Sequence, residues 1–143
     1  MTKSANVSPR RTVIVEAGPL KAAIDWGDVD HKWAERVFRS VSGRFVTCEA
    51  AIAEALHGLE NHPVAVQALR RLIGRMDVVA FGPDRLPSVF DEIERWAPRM
   101  DFADGCAVVL ARSYERAFVL TTDFRDFATY GVPFASPEGA FHT

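Results

Sequence analysis

Apolar residues along this chain fall into short unbroken runs separated by stripes spaced three to four apart, the rhythm of strands alternating with helices. TVIVE at Thr12–Glu16 is a β-branched run suited to a buried parallel strand. It breaks at Ala17–Gly18–Pro19, where Pro19 fits the first turn of a helix, and Leu20–Trp26 continues with helical spacing. Asp28 or Asp30 is placed to cap the next helix, which runs to about Ser40. Phe45–Val46 reads as a second strand and Thr47 as the cap of a helix through CEAAIAEALHGL. In that helix Cys48, Ala51, Ile52, Ala55, Leu56 and Leu59 make an apolar stripe.

Val64–Gly74 is a further amphipathic helix and Met76–Phe81 a third strand. Pro83 and Asp84 lead into a helix that must stop before Pro98. A helix over Asp101–Arg116, a strand over Ala117–Thr122, a short turn at Asp123–Tyr130 and a last strand or loop near Val132–Ser136 complete the chain. Strands alternating with helices imply a three-layer α/β/α sandwich on a mostly parallel sheet. Residues 1–11 are polar and are expected to form a flexible tail, leaving 12–143 as one domain.

Composition narrows the chemistry. A chain of 143 residues with 48% hydrophobic and 25% charged residues is an ordinary globular domain with one core. A net charge of −2 exerts no global pull on nucleic acid, so any nucleic-acid surface must be a local basic patch beside an acidic centre. Its candidates are Arg70, Arg71, Arg75, Arg95, Arg99, Arg112, Arg116 and above all Arg125. Cys48 and Cys106 are too few for a disulfide framework or a four-ligand zinc site, and are expected as buried free thiols. No apolar run has the length of a membrane span and no signal-peptide core is present, so a cytoplasmic protein without membrane contact is expected. His31, His57, His62 and His142 form no ligand pair at helical spacing. There is no nucleophile elbow, and Gly18 stands outside any phosphate-binding loop. What remains is a carboxylate-only centre, whose chemistry is metal-assisted hydrolysis.

The acids are concentrated in Met100–Phe127. Asp101 sits where a helix cap is wanted, with Asp104 at the third helical position. Asp104 shares its helical side with Ala107, Val108 and Ala111, an apolar face on which a carboxylate needs a partner or a metal. Asp123 follows a strand, where ligands gather in open α/β sheets, and equally suits the cap of the turn after it. Asp126 reads as a surface acid. Glu16 ends the first strand, a place where surface carboxylates are also common. Glu54, beside the small residues Ala50, Ala51 and Gly58, fits either a metal-proximal position or a solvated helix face. A signalling receiver domain also collects strand-end acids. It needs an acid pair after the first strand and a late lysine; here Ala17 follows Glu16 and no lysine follows Lys32.

The segments VIVEAGPL, TCEAAIAEALHGL, MDFADGCAVVLA and VLTTDFRDF together resemble the PIN domain, and more narrowly toxins of the VapC type. The resemblance implies a metal-dependent endoribonuclease, the toxin of a toxin–antitoxin pair, hydrolysing RNA with Mg²⁺ or Mn²⁺. It implies Glu16, Glu54, Asp104 and Asp123 as the acidic centre, supported by Asp101 and Thr122. It further implies a structured RNA substrate such as tRNA, a cognate antitoxin that enters the active-site groove, and a homodimer, for which the apolar face of Val64–Ile73 offers a surface. Glu16 departs from the family, which usually carries Asp there. Mg²⁺ demands near-ideal octahedral geometry, so the departure opens an alternative: a catalytically weak or inactive RNA- or partner-binding protein.

Overall fold

The computed structural model describes residues 10–141. The chain order is β1 (Thr12–Val15), α1 (Ala17–Ile24), α2 (His31–Ser40), β2 (Arg44–Cys48), α3 (Glu49–Gly58), α4 (Pro63–Ile73) and β3 (Asp77–Val79). It continues with α5 (Leu86–Arg95), α6 (Phe102–Ser113), β4 (Ala117–Leu120), α7 (Phe124–Tyr130), β5 (Phe134–Ser136) and β6 (Gly139–Phe141). The sheet runs β3-β2-β1-β4-β5-β6, parallel throughout except for the β5–β6 hairpin. The expected three-layer α/β/α architecture is therefore the one observed.

The β-branched run of β1 is fully buried because β1 is the central strand, with Thr12 opposite both Arg44 and Ala117. The chain lays β2 and β3 to one side of β1 and returns to place β4 on the other. That reversal creates a crevice beyond the carboxyl ends of β1 and β4, where ligands bind in open α/β sheets. α6 packs against α3, α5, β1 and β4. It is nearly all small or aliphatic on its buried sides, with Ala103, Gly105, Cys106, Ala107, Val108, Leu110 and Ala111 buried. Its first turn is thereby fixed over the crevice.

Several expectations are corrected. Thr47 lies within β2 rather than capping α3; its hydroxyl donates to the Val15 carbonyl at 2.9 Å and ties the two strands together. The third strand shrinks to three residues at an exposed edge. The segment after Asp123 is a helical turn closed by Gly131 in the left-handed region, at φ 82°. The C-terminal segment is strand β5, followed by β6, which the hydrophobic pattern does not announce. Of the expected tail, residues 1–9 lie outside the described residues, while Arg10 and Arg11 are anchored. The Arg10 guanidinium donates to the Gly43 carbonyl at 3.0 Å and the Arg11 carbonyl accepts from Arg44 N–H at 2.8 Å. Both cysteines are buried free thiols, as expected. Among the described residues no helix is long and apolar enough to cross a membrane.

Candidate active site

Three elements converge on the crevice. Glu16 directly follows β1; its N–H donates to the Leu120 carbonyl at 3.1 Å, holding it against β4 as the chain turns into α1. Asp104 occupies the first turn of α6, its N–H donating to Asp101 Oδ1 at 2.8 Å. Asp101 is thus the helix cap foreseen for it. Beyond β4, the buried Thr121 donates its hydroxyl to Glu16 Oε1 at 2.6 Å and accepts the Asp123 N–H at 2.9 Å. Tyr130, at the end of α7, donates its hydroxyl to Asp104 Oδ2 at 2.9 Å.

At the centre, the carboxyls of Glu16 and Asp104 lie close enough to raise each other's affinity for a proton. A proton held between them would offset their mutual repulsion. Burial, then the neighbouring Asp104 charge, pushes Glu16 well above the usual carboxylate range. Burial and then Asp101 push Asp104 up to about 6. Burial and the adjacent Asp104 also raise the Tyr130 phenol, keeping it a donor.

Glu54 is exposed on α3, yet partial burial and the charge of Asp101 raise its pKa, which places it on the rim of the same cluster. Asp123 joins through its backbone. Its carboxylate caps α7, with Oδ1 accepting from Asp126 N–H at 3.1 Å. Asp126, expected as a plain surface acid, is raised first by burial and then by its hydrogen bond to Asp123, and it holds Arg99 at 3.1 Å. Arg125, exposed one residue earlier, carries positive charge to the edge of the site. Of the other arginines, Arg112 pairs with Glu92 at 3.5 Å and Arg95 stacks on Trp96 at 5.1 Å.

Thr121, next to the Thr122 that the resemblance implies as support, makes the bonds to Glu16 and Asp123, because neighbours along an extended chain point to opposite sides. The Thr122 side chain faces Gly18 instead, so closely that a Cβ at Gly18 would overlap its hydroxyl. Tyr130 was also missed, and only its return to Asp104 through the fold identifies it.

Among the described residues no group of three or more Asp, Glu, His or Cys side chains forms a ready-made metal cage. The donor set nonetheless suits Mg²⁺ or Mn²⁺, hard ions that take oxygen ligands; Mg²⁺ in particular is commonly held by one or two carboxylates with several waters retained. Glu16 and Asp104 are such a pair, and a cation between them would offset their mutual repulsion.

No protein-family profile and no curated protein matches the sequence. Solved structures do. VapC20 of Mycobacterium tuberculosis, described as a sarcin–ricin loop cleaving toxin, superposes with a TM-score of 0.73 at 22% identity, over 83% of this chain and 95% of that one. A toxin–antitoxin complex from Klebsiella pneumoniae gives 0.64 at 12% identity, over 82% and 91%. VapBC2 from Rickettsia felis, bound to a promoter DNA fragment, gives 0.59 at 14% identity, over 82% and 91%. At such identities the likeness is one of architecture, and the chain has the PIN fold of the VapC toxins.

Proposed function

We propose that this protein is a metal-dependent endoribonuclease that hydrolyses RNA phosphodiester bonds as the toxin of a toxin–antitoxin pair. The observation that carries the reading is the placing of Glu16 and Asp104 side by side at the switch point of a sheet, each held by its own hydroxyl donor, on the fold of an RNA-cleaving toxin. Two half-buried acids so close at a strand end suit a cation that offsets their repulsion.

Mg²⁺ or Mn²⁺ would be held by Glu16 and Asp104, with Glu54 and Asp123 at the rim. When bound, such an ion lowers the pKa of a coordinated water and offsets charge growing on the phosphate oxygens. The chain's own groups do the positioning. Thr121 fixes Glu16 Oε1 and Tyr130 fixes Asp104 Oδ2, so the two carboxyls keep their remaining oxygens for the ion. Asp101 holds the backbone of Asp104 in place. Glu54, whose raised pKa favours proton uptake, is the group for accepting a proton from the attacking water. Thr121 orients the longer Glu16 side chain within this network, which supports the cleaving reading over the non-cleaving alternative. A cognate antitoxin belongs to the same reading, supported by the toxin–antitoxin complexes that share the fold. So does a homodimer, for which α4, with Val64 67% exposed, offers an apolar surface.

The test is cleavage of total RNA in Mg²⁺, Mn²⁺ or EDTA by the wild type and Asp104→Asn. Cleavage should need the metal and fall roughly 100-fold in the variant. Activity surviving both EDTA and Asp104→Asn would sink the proposal.

A further inference from the structure

Next to the carboxylates, between α3, the segment after β3 and the start of α6, lies a groove of about 570 Å³. That volume is in the range of sites that take a single small ligand. Its lining combines two aromatic rings, Phe81 and Phe102, the small Ala50 and Ala53, and two acids, Glu49 and Glu54. We propose that this groove seats one unstacked guanine of the RNA, with Phe81 and Phe102 as stacking surfaces and Glu49 as the reader of its Watson–Crick edge.

Four observations support the assignment, whose location beside the scissile phosphate rests on the ribonuclease reading. Phe102 is 41% exposed although it opens the most deeply buried helix. A ring exposed at the mouth of a groove can take a stacked base, and base stacking on aromatic side chains is how proteins hold single-stranded RNA. Ala50 and Ala53 leave room for a flat ring to approach α3. Glu54 lines the groove, whose wall includes Phe102 and Ala103, which directly precede Asp104 on α6, so the groove adjoins the acidic cluster. The Arg85 guanidinium lies 5.8 Å from the Phe81 ring centroid, bringing a cation beside a groove whose two charged lining residues are acids.

Glu49 decides the base. It is exposed in the first turn of α3. A carboxylate is acceptor-only, with two oxygens side by side. Guanine alone presents two adjacent donors, N1–H and the N2 amine, to such a fork. Adenine and cytosine set a ring acceptor beside their amine, and uracil flanks its one donor with two carbonyls. These three therefore meet Glu49 with at least one repulsive contact.

The test uses the full chain and fluorescence anisotropy in EDTA, where metal-dependent cleavage is silent. The probes are a labelled single-stranded oligouridylate octamer and the same octamer with one central guanosine. The guanosine octamer should bind about tenfold more tightly, Glu49→Ala should abolish that preference, and Phe102→Ala should weaken the guanosine octamer roughly tenfold. Should Phe102→Ala fail to fold, Glu49→Ala, at an exposed helical position, carries the test. Equal binding of the two octamers, no binding of either, or a preference that survives Glu49→Ala overturns the assignment. A guanosine preference in a protein that cleaves no RNA with Mg²⁺ or Mn²⁺ would support the groove and overturn the nuclease reading instead.

Discussion

Glu16 accepts from the Thr121 hydroxyl and faces the Asp104 carboxyl, and so brings three segments of the chain to one acidic centre that favours a bound proton. A carboxyl that holds its proton more tightly folded than unfolded favours the fold at low pH. That advantage fades as pH rises from the unfolded value near 4 through the folded one, which for Asp104 is about 6 and for Glu16 also lies well above the ordinary range. Metal-free protein should therefore lose stability from about pH 4 to pH 7. The loss should be about 1–2 kcal/mol after allowing for solvent screening, or roughly 3–6 °C in Tm for a domain of this size. Glu16→Gln keeps the geometry, since its amide can donate to Asp104 and accept from Thr121. It should flatten the pH dependence and raise the metal-free Tm at pH 7.5. Mg²⁺ should raise the Tm of the wild type but not of Glu16→Gln. Thermal melts across pH, with and without Mg²⁺, check all three, and a wild type whose metal-free Tm climbs from pH 5 to 7.5 would contradict a centre that favours a bound proton.

Elements were legible in the sequence where packing imposes a period, and illegible where parity or an edge decides. The β-branched run of β1 and the apolar stripe of α3 announce buried faces, and Asp101 announces the start of α6. The three residues of β6 carry too little pattern to be seen. Thr121 and Thr122 were indistinguishable because which of two adjacent hydroxyls faces the site depends on where the strand is pinned, not on its composition. The same parity packs Thr122 against Gly18 at the start of α1. In an open helix Gly18→Ala would stabilise by up to about 1 kcal/mol. Here the new methyl meets the Thr122 hydroxyl, Cβ and Cγ2, and overpacking of this kind costs about 1–3 kcal/mol. Gly18→Ala should therefore destabilise the protein by about 1–2 kcal/mol, and the same change in a Thr122→Ala background should be close to neutral. Urea denaturation of the four proteins measures the coupling; purely additive effects would mean the two elements do not touch as described.

On the scale of the whole molecule, parallel strands sort charge into two poles that the net value of −2 conceals. Arg11 precedes β1 and Arg44 opens β2, so these cations lie at the amino ends of the strands. Glu16, Thr121 and Asp123 lie at the carboxyl ends, with Asp101 and Asp104 above them. RNA drawn to the basic pole would have its backbone on the wrong side of the sheet from the carboxylates. Productive binding must depend on the few cations at the acidic end, chiefly Arg125 after β4 and Arg85 by the groove, since Arg99 is paired with Asp126. Each cation that neutralises a phosphate of single-stranded RNA steepens the fall of log affinity with log salt by about 0.7. Arg85→Ala and Arg125→Ala should each reduce the slope by about that amount and weaken binding at low salt. Arg11→Ala and Arg44→Ala should leave the slope unchanged, although Arg44 also stacks on Tyr114 at 4.9 Å and pairs with Asp77 at 3.6 Å, so its removal should lower stability. Anisotropy titrations of a labelled RNA between low and moderate salt measure the four slopes. A slope that falls with Arg11→Ala and not with Arg125→Ala would place the RNA on the opposite face of the molecule, where no carboxylate pair could act on it.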